Sequence, residues 1–175
     1  MSVSFEFSGG EEFNRALRAL GSDAAMRAVA MEAAEELKIM TELSFNSASM
    51  RPAEWLPLSG ATEAGLSKAR KRAAKKRGAA KPLIDTGTLM KSFSIEDAGP
   101  DGATLASDTA ANKGRQYAAY HQHGTKKMPA RPFVPAVGGY NEVAKPTDKA
   151  RRRLETAMKR ALAAAARRAG LDVET

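Results

Sequence analysis

The chain has no cysteine among its 175 residues, and this absence excludes several kinds of chemistry. Disulfides, thiolate catalysis and cysteine-ligated zinc all need a residue that is missing. Only two histidines are present, His121 and His123, and no obvious cluster of carboxylates accompanies them to complete a metal site. There is also no Walker-type loop, serine nucleophile elbow or dinucleotide-binding glycine motif. We therefore expect no metal, no cofactor and no catalytic residue.

Long apolar runs are missing as well. No stretch approaches the roughly 18 apolar residues of a membrane span, and residues 1–7 (Met-Ser-Val-Ser-Phe-Glu-Phe) lack the basic and apolar regions of a secretion signal. We expect a chain that is synthesised in the cytoplasm and does not contact a membrane.

Aromatic residues are scarce, at 6% of the chain with a single tryptophan. The hydrophobic share of 43% is largely alanine, which favours helices but buries little area per residue. The length suits one domain spanning residues 1–175. We expect long helices with modest packing, in a subunit whose stability depends partly on its neighbours.

The first half of the chain shows alternating and helical patterns in turn. Residues 3–7 alternate like a strand, and residues 11–20 have the apolar spacing of a short helix. Ser22 or Asp23 can cap a second helix, whose apolar residues recur at 3.6-residue spacing up to Met40. Residues 46–60 then form a loop that we expect Trp55 to pin.

The second half predicts a hairpin between helices. Residues 92–96 alternate like a strand, 99–102 are a strong turn signal, and 103–107 can return as the second strand. A short helix is expected at 116–123, followed by a stretch that three prolines keep extended. The last helix should run from about 145 to 169, with one apolar face comprising Leu154, Met158, Ala161, Leu162 and Ala165.

Basic residues concentrate between Lys68 and Lys81, and the whole chain carries a formal charge of +8. Without interleaved aromatics, any contact with nucleic acid should be sequence-independent and salt-sensitive. The favoured interpretation is a flexible, solvated insert. The alternative is a non-specific DNA-binding protein whose phosphate contacts come from Lys68, Arg70, Lys71, Arg72, Lys75, Lys76 and Arg77.

The segment Leu83-Ile84-Asp85-Thr86-Gly87 resembles the catalytic loop of aspartic proteases. In those enzymes two loops meet in a dimer, and two carboxylates share one proton to activate a water. One hypothesis is thus a homodimeric protease that uses Asp85. The other, which we favour, is that Asp85 caps a short helix that starts at Thr86 and continues through Leu89.

Four blocks of residues carry a wider resemblance when they are taken in order. They are Trp55-x-Pro57-Leu58, then Leu83-Ile84-Asp85-Thr86-Gly87-x-Leu89-x-x-Ser92, then Tyr117-Ala118-x-x-His121-Gln122-x-Gly124, and finally Pro129-Ala130-Arg131-Pro132-Phe133. Together they resemble the phage virion morphogenesis family, which includes the tail completion proteins of contractile-tailed phages. Four blocks in this order over about eighty residues are far more specific than any single one.

The resemblance implies a fold and a role. The fold would be α+β, with a small antiparallel sheet packed against long helices and a long C-terminal helix. The role would be a non-enzymatic structural protein, made in the host bacterial cytoplasm and found in the virion at the head-tail junction or upper tail. It would form a ring of its own copies, for instance a hexamer, and would contact the tail tube or terminator and the head-neck proteins. Contact with DNA in the channel is left open.

In this family the Asp-Thr-Gly block carries no catalysis, which implies that the protease match is coincidental. We expect the block residues to set subunit shape and interfaces: Gly87 allows close approach of chains, and Gly124 permits a tight turn. Arg131, held between prolines, is placed to make a bidentate ion pair either inside the subunit or with a neighbouring subunit, and we favour the neighbour. The structural and interface candidates are Trp55, Asp85, Gly87, His121, Gln122, Gly124, Arg131 and Phe133.

Overall fold

The computed structural model describes residues 18–65, 68, 71, 72, 75, 83, 87–107, 110–111, 115–138 and 144–171. The predicted strand at 3–7, most of the predicted helix at 11–20, and Asp85 lie outside these residues. What is described falls into two compact units. Unit 1 takes the described parts of Met1–Glu36, Ile95–Thr104 and Arg152–Thr175, and unit 2 those of Leu37–Ser94 and Leu105–Arg151.

The first long helix, α1, spans Asp23–Asn46. It begins where the sequence predicted, because the Ser22 hydroxyl accepts a hydrogen bond from the Ala25 backbone N–H at 3.3 Å. Two polar residues of its buried side, Thr41 and Ser44, donate their hydroxyls to the helix carbonyls four residues earlier. These bonds let hydroxyl groups lie in an apolar interior at little cost.

The second long helix, α5, spans Asp148–Arg168 and starts later than the predicted residue 145. Lys145 and Pro146 instead form a strand, and the Thr147 hydroxyl then caps the helix by accepting from the Ala150 N–H at 3.3 Å. At the other end, Gly170 is left-handed with φ +81°. The Gly170 N–H bonds to Arg167 and the Leu171 N–H to Ala166, which closes the helix as a Schellman motif.

The predicted apolar face of α5 was wrong at Met158 and Leu162. Met158 and Leu162 are each 41% exposed, whereas Ala150 and Ala157 are fully buried. Small side chains at the buried positions allow close packing, so the larger residues lie on the flank. Within unit 1, α5 pairs with α1 in an antiparallel sense, since Arg153 bonds to Glu36 and Arg160 approaches Glu32.

Short strands and helices complete the α+β fold that the sequence predicted. Strands β1 (Phe93–Glu96) and β2 (Thr104–Ser107) form a two-stranded sheet, and the turn before β2 is closed by a Gly99 N–H bond to Gly102. Two smaller antiparallel pairs were not predicted. They are β3 (Ala110–Ala111) with β4 (Arg115–Gln116), and β5 (Ala136–Val137) with β6 (Lys145–Pro146). The short helices are α2 (Gly60–Ala64), α3 (Thr88–Lys91) and α4 (Tyr117–His123).

None of the described helices is both long and apolar enough to cross a membrane.

Helix α3 corrects the capping prediction for the Asp-Thr-Gly block. The helix begins at Thr88 rather than Thr86, and its N-cap is Gly87, which has φ +80° and makes no side-chain capping bond. A left-handed residue at the cap is easily supplied by glycine, so the backbone itself sets this start. Asp85 lies two positions before the cap.

The core of unit 2 gathers most of its aromatic residues in one place. The buried cluster comprises Phe45, Trp55, Leu89, Phe93 and Phe133. Phe45 stacks on Phe133 at 5.2 Å between ring centroids and meets Trp55 edge-on at 5.9 Å. Pairs in these geometries add about 0.5–1.5 kcal/mol each beyond the area they bury. A chain with few aromatic residues can form a packed core when those residues are concentrated in this way.

Candidate functional site

Residues 129–135, which we call the proline segment, run irregularly through unit 2. Prolines at 129, 132 and 135 remove backbone N–H groups, so a regular strand ladder cannot hold this stretch. Side chains from sequence-distant elements hold it instead, and several of them are the predicted site residues.

Gln122, on α4, supplies the hydrogen bonds that a neighbouring strand would give. Its Oε1 accepts from the backbone N–H groups of Phe133 and Val134, each at 3.0 Å. Its Nε2 donates to the Val134 carbonyl at 3.4 Å. One amide side chain therefore satisfies three main-chain groups and fixes the path of the segment.

Trp55 fixes the same segment from the loop after α1. Its ring is buried in the aromatic cluster, and its Nε1–H donates to the Pro132 carbonyl at 2.7 Å. The Arg51 guanidinium carbon lies 3.8 Å from the Trp55 ring centroid, while Arg51 Nε donates to the Ser44 carbonyl near the end of α1. The prediction that Trp55 pins this loop is confirmed. Arg51 was missed, because nothing in the sequence distinguishes it from other surface arginines.

Arg131 is buried and bonds to the backbone of its own chain. It is only 7% exposed, and its Nε and Nη2 donate to the carbonyls of Leu56 and Pro57, each at 3.2 Å. Its backbone N–H donates to the His121 carbonyl at 2.7 Å. The side chain thus ties together two loops of its own chain, and the ion pair with a neighbouring subunit stays a prediction.

His121 is buried beside this arginine. Burial lowers the pKa of His121 to about 4, and the positive charge of Arg131 contributes in the same direction. The imidazole is therefore neutral at pH 7, and the cation beside it is Arg131. His123, two positions further along α4, is exposed.

Gly124 ends α4 in a conformation that only glycine can occupy at this place. Its φ is +74°, and a Cβ there would lie 2.8 Å from the Ala130 nitrogen and 3.0 Å from the Met128 oxygen. Both atoms belong to backbone, so neither can move aside cheaply. Gly124 thus permits the close approach of α4 to the proline segment.

Six of the eight candidate residues therefore lie in or against the proline segment of unit 2. Arg131 and Phe133 belong to the segment, and Trp55, His121, Gln122 and Gly124 contact it.

Gly87 lies elsewhere, at the start of α3, whose Leu89 joins the same aromatic cluster. No described atom lies within 4 Å of the place where a Gly87 Cβ would be, so the expected close approach of chains was wrong, and its positive φ is what favours glycine. Asp85 is outside the described residues. Of the basic candidates, Lys68, Lys71, Arg72 and Lys75 are helical and exposed, whereas Arg70, Lys76 and Arg77 are outside the described residues.

A groove of about 650 Å³ opens next to Arg131. Its apolar walls include Leu56, Leu58 and Met128, and its polar lining includes Lys127, His121 and Arg131. The sequence did not predict it, because its lining comes from segments up to 75 positions apart, and their approach depends on the tertiary fold. Among the described residues, no group of three or more histidine or acidic residues is placed to hold a metal ion.

In comparisons with protein-family models, curated proteins and solved structures, nothing matches the chain.

Proposed function

We propose that this chain is a non-enzymatic structural protein of a phage particle, which completes the tail or neck and joins the tail to the head as a subunit of a ring. One observation carries the proposal. Of the four blocks that resemble the virion morphogenesis family, the last one bonds directly to both the first and the third, although up to 77 positions separate the bonded residues. Leu89, from the remaining block, packs in the same cluster.

The hydrogen bonds among these blocks fix the path of the backbone. Trp55, Gln122 and Arg131 direct their side-chain hydrogen bonds to main-chain carbonyl or N–H groups. Such bonds fix where loops run and do not activate a nucleophile or a water. A precisely shaped loop region without charge-relay geometry suits a subunit whose work is to fit against other proteins.

Exposed apolar residues on the long helices support assembly with further copies or neighbours. On α1, Ile39 and Leu43 are exposed one helical turn apart, and Met158 and Leu162 repeat this spacing on α5. Paired apolar side chains on one helix face are typical of surfaces that are covered in an assembly.

The proposal is tested by placing a stop codon at Trp55 in the phage or prophage that carries the gene. Negative-stain microscopy of the lysate should show DNA-filled heads separate from finished tails. A native copy and an Asp85→Asn copy should both restore joined particles, the latter because no carboxylate chemistry is needed. Joined particles in the stop-codon mutant would overturn the proposal, and rescue by the native copy alone would favour the protease hypothesis.

A second candidate, non-specific DNA binding, is favoured by the geometry of the basic insert. Lys68, Lys71, Arg72 and Lys75 are helical and exposed, and a spacing of three, four and seven residues is that of side chains that share one face of a helix. Such a stripe can follow a phosphate backbone and release counterions.

Its test is the dependence of DNA affinity on salt. Replacing all four cations by glutamine should reduce the magnitude of the slope of log K against log salt by about 3 to 4. A matched control replaces exposed cations elsewhere, Lys91, Lys126, Lys145 and Lys159, and should change the slope less. Equal changes in the two variants would show that the stripe has no special role.

A further inference from the structure

The groove beside Arg131 has an unusual balance of charge. Arg131 is buried and Lys127 is exposed, and both line the groove, whereas none of the described residues that line it is acidic. Because His121 is neutral at pH 7, the described lining residues carry a net charge of +2 from these two cations.

Arg131 also lacks a carboxylate partner within the described residues. The ion pairs there join Arg151 to Asp148, Arg153 to Glu36 and Arg160 to Glu32. Arg131 instead uses Nε and one N–H of Nη2 on carbonyl oxygens. A guanidinium has five N–H donors, so three remain after these two bonds. A buried cation that meets only neutral acceptors attracts an anion more strongly than a solvated one.

The walls of the groove specify what kind of anion fits. Leu56, Leu58, Leu83, Met128 and Pro129 form an apolar surface next to the cations. A free phosphate or a nucleic-acid backbone would leave that surface in water. A ligand that joins a carboxylate to an apolar side chain would use both parts of the groove.

We propose that this groove binds the C-terminal carboxylate of a partner polypeptide whose last residue is apolar. A chain terminus suits the groove because its carboxylate and its last side chain are attached to the same Cα. In an extended internal segment, by contrast, neighbouring acidic and apolar side chains point to opposite sides. The carboxylate pairs with Arg131 and Lys127, and the terminal side chain packs on the leucines.

The assignment rests on the chemistry of the groove and not on the particle role proposed above. A titration with the purified chain therefore tests it separately. Failure of peptide binding would leave the genetic test of head-tail joining untouched, and the reverse also holds.

In the experiment, acetyl-Ala-Ala-Leu with a free C-terminus is titrated into the full chain. Binding is monitored by the fluorescence of Trp55, which is the only tryptophan and precedes the groove residue Leu56. The same peptide with a C-terminal amide is the matched ligand. The free acid should bind at least about tenfold more tightly, since a charge-assisted hydrogen bond is lost in the amide. Equal affinity of acid and amide, or no saturation by either at millimolar concentration, would overturn the proposal.

Two further ligands separate the possible sources of the anion. A peptide amide in which leucine and aspartate are adjacent, acetyl-Ala-Leu-Asp-Ala-amide, should bind no more tightly than the neutral amide, because the two side chains point to opposite sides of an extended chain. Inorganic phosphate should also bind much more weakly than the free acid. If either matches the free acid, the commitment to a chain terminus is wrong.

Substitutions of exposed residues test where the peptide binds and leave the buried core unchanged. Lys127→Gln should weaken binding of the free acid by about two- to fivefold, whereas Lys126→Gln, at the neighbouring exposed position outside the groove, should leave it unchanged. Arg131→Lys keeps the charge but removes the guanidinium fork, and its folding is checked first by circular dichroism. If Lys126→Gln and Lys127→Gln weaken binding equally, peptide binds elsewhere and the assignment fails.

Discussion

Units 1 and 2 have interiors of different kinds. In unit 2, four aromatic rings and the proline segment are held by bonds between residues far apart in sequence, such as Trp55 to Pro132. In unit 1, the helices contribute mainly small buried residues such as Ala34, Ala157 and Ala166, and two ion pairs link α1 to α5. A single substitution should therefore cost much more in unit 2, whose contacts are large and specific.

The largest effect is expected at the centre of the aromatic cluster. Phe133 is 1% exposed and contacts the rings of Phe45 and Phe93. Phe133→Ala should lower the free energy of unfolding by about 3–5 kcal/mol, through lost burial and a residual cavity. Urea denaturation followed by Trp55 fluorescence measures it. Val137→Ala, at a residue that is 53% exposed, is the control and should change stability little; similar losses in both would show that the cluster is not the stability centre.

A second test compares two glycines that have nearly the same backbone angle. Gly124 and Gly170 have φ of +74° and +81°, but only Gly124 has backbone atoms where a Cβ would lie. Gly170→Ala should cost about 1 kcal/mol, from left-handed strain alone. Gly124→Ala should cost about 3 kcal/mol or more, since strain and steric overlap add.

Asparagine sharpens the same comparison, because it tolerates the left-handed region better than alanine. Gly170→Asn should recover most of the stability lost in Gly170→Ala, and Gly124→Asn should recover little. Thermal unfolding of the four variants distinguishes these cases. If the two sites behave alike, close approach of α4 to the proline segment is not what requires glycine.

The buried histidine of unit 2 predicts a dependence of stability on pH. The folded pKa of His121 is about 4, below its ordinary 6.5, so between these values the unfolded chain takes up a proton that the folded chain does not. The free energy of unfolding should therefore fall as pH falls from 6.5 to 4, by about 2–3 kcal/mol from this group. His121→Gln should remove this part of the slope. His123→Gln should retain it, and equal slopes in both variants would contradict the assignment.

The smallest effects are expected at the ion pairs of unit 1. Glu36 is largely buried and bonds to Arg153, whereas Glu32 and Arg160 are both well exposed and 4.0 Å apart. Glu36→Gln should cost about 1–2 kcal/mol, and Glu32→Gln at most about 0.5 kcal/mol. Urea denaturation at two salt concentrations measures both losses of unfolding free energy and shows which one is larger. A larger loss at Glu32 would mean that unit 1 depends on surface charge more than its geometry indicates.

The sequence correctly predicted those helix ends and turns that are set by residues close together in the chain. Ser22 caps α1, the glycine-rich turn precedes β2, and α4 ends near Gly124, all within a residue or two of expectation. The predicted start of α5 was wrong because Pro146 disfavours helical backbone at Lys145, and the helix begins only after the capping residue Thr147. At α3, the left-handed Gly87 determines the start, and side-chain capping preferences alone could not show this.

Packing and long-range pairing were harder to predict. Met158 and Leu162 have helical spacing with the buried alanines, yet which side of α5 is covered depends on the neighbouring elements and not on the period. The side-chain bonds of Gln122 and Arg131 join loops that sequence patterns place far apart. The identity of the candidate residues was thus accessible from the four blocks, whereas their partners and the groove were not.

The central claim, that this chain is a structural part of a phage particle, is tested most directly by quantitative mass spectrometry of purified particles. Particles banded by density and washed in high salt should contain the chain in a fixed molar ratio to the tail tube protein, equal in separate preparations. A chain that is abundant in the lysate but absent from washed particles, or present in a ratio that varies between preparations, would contradict the account.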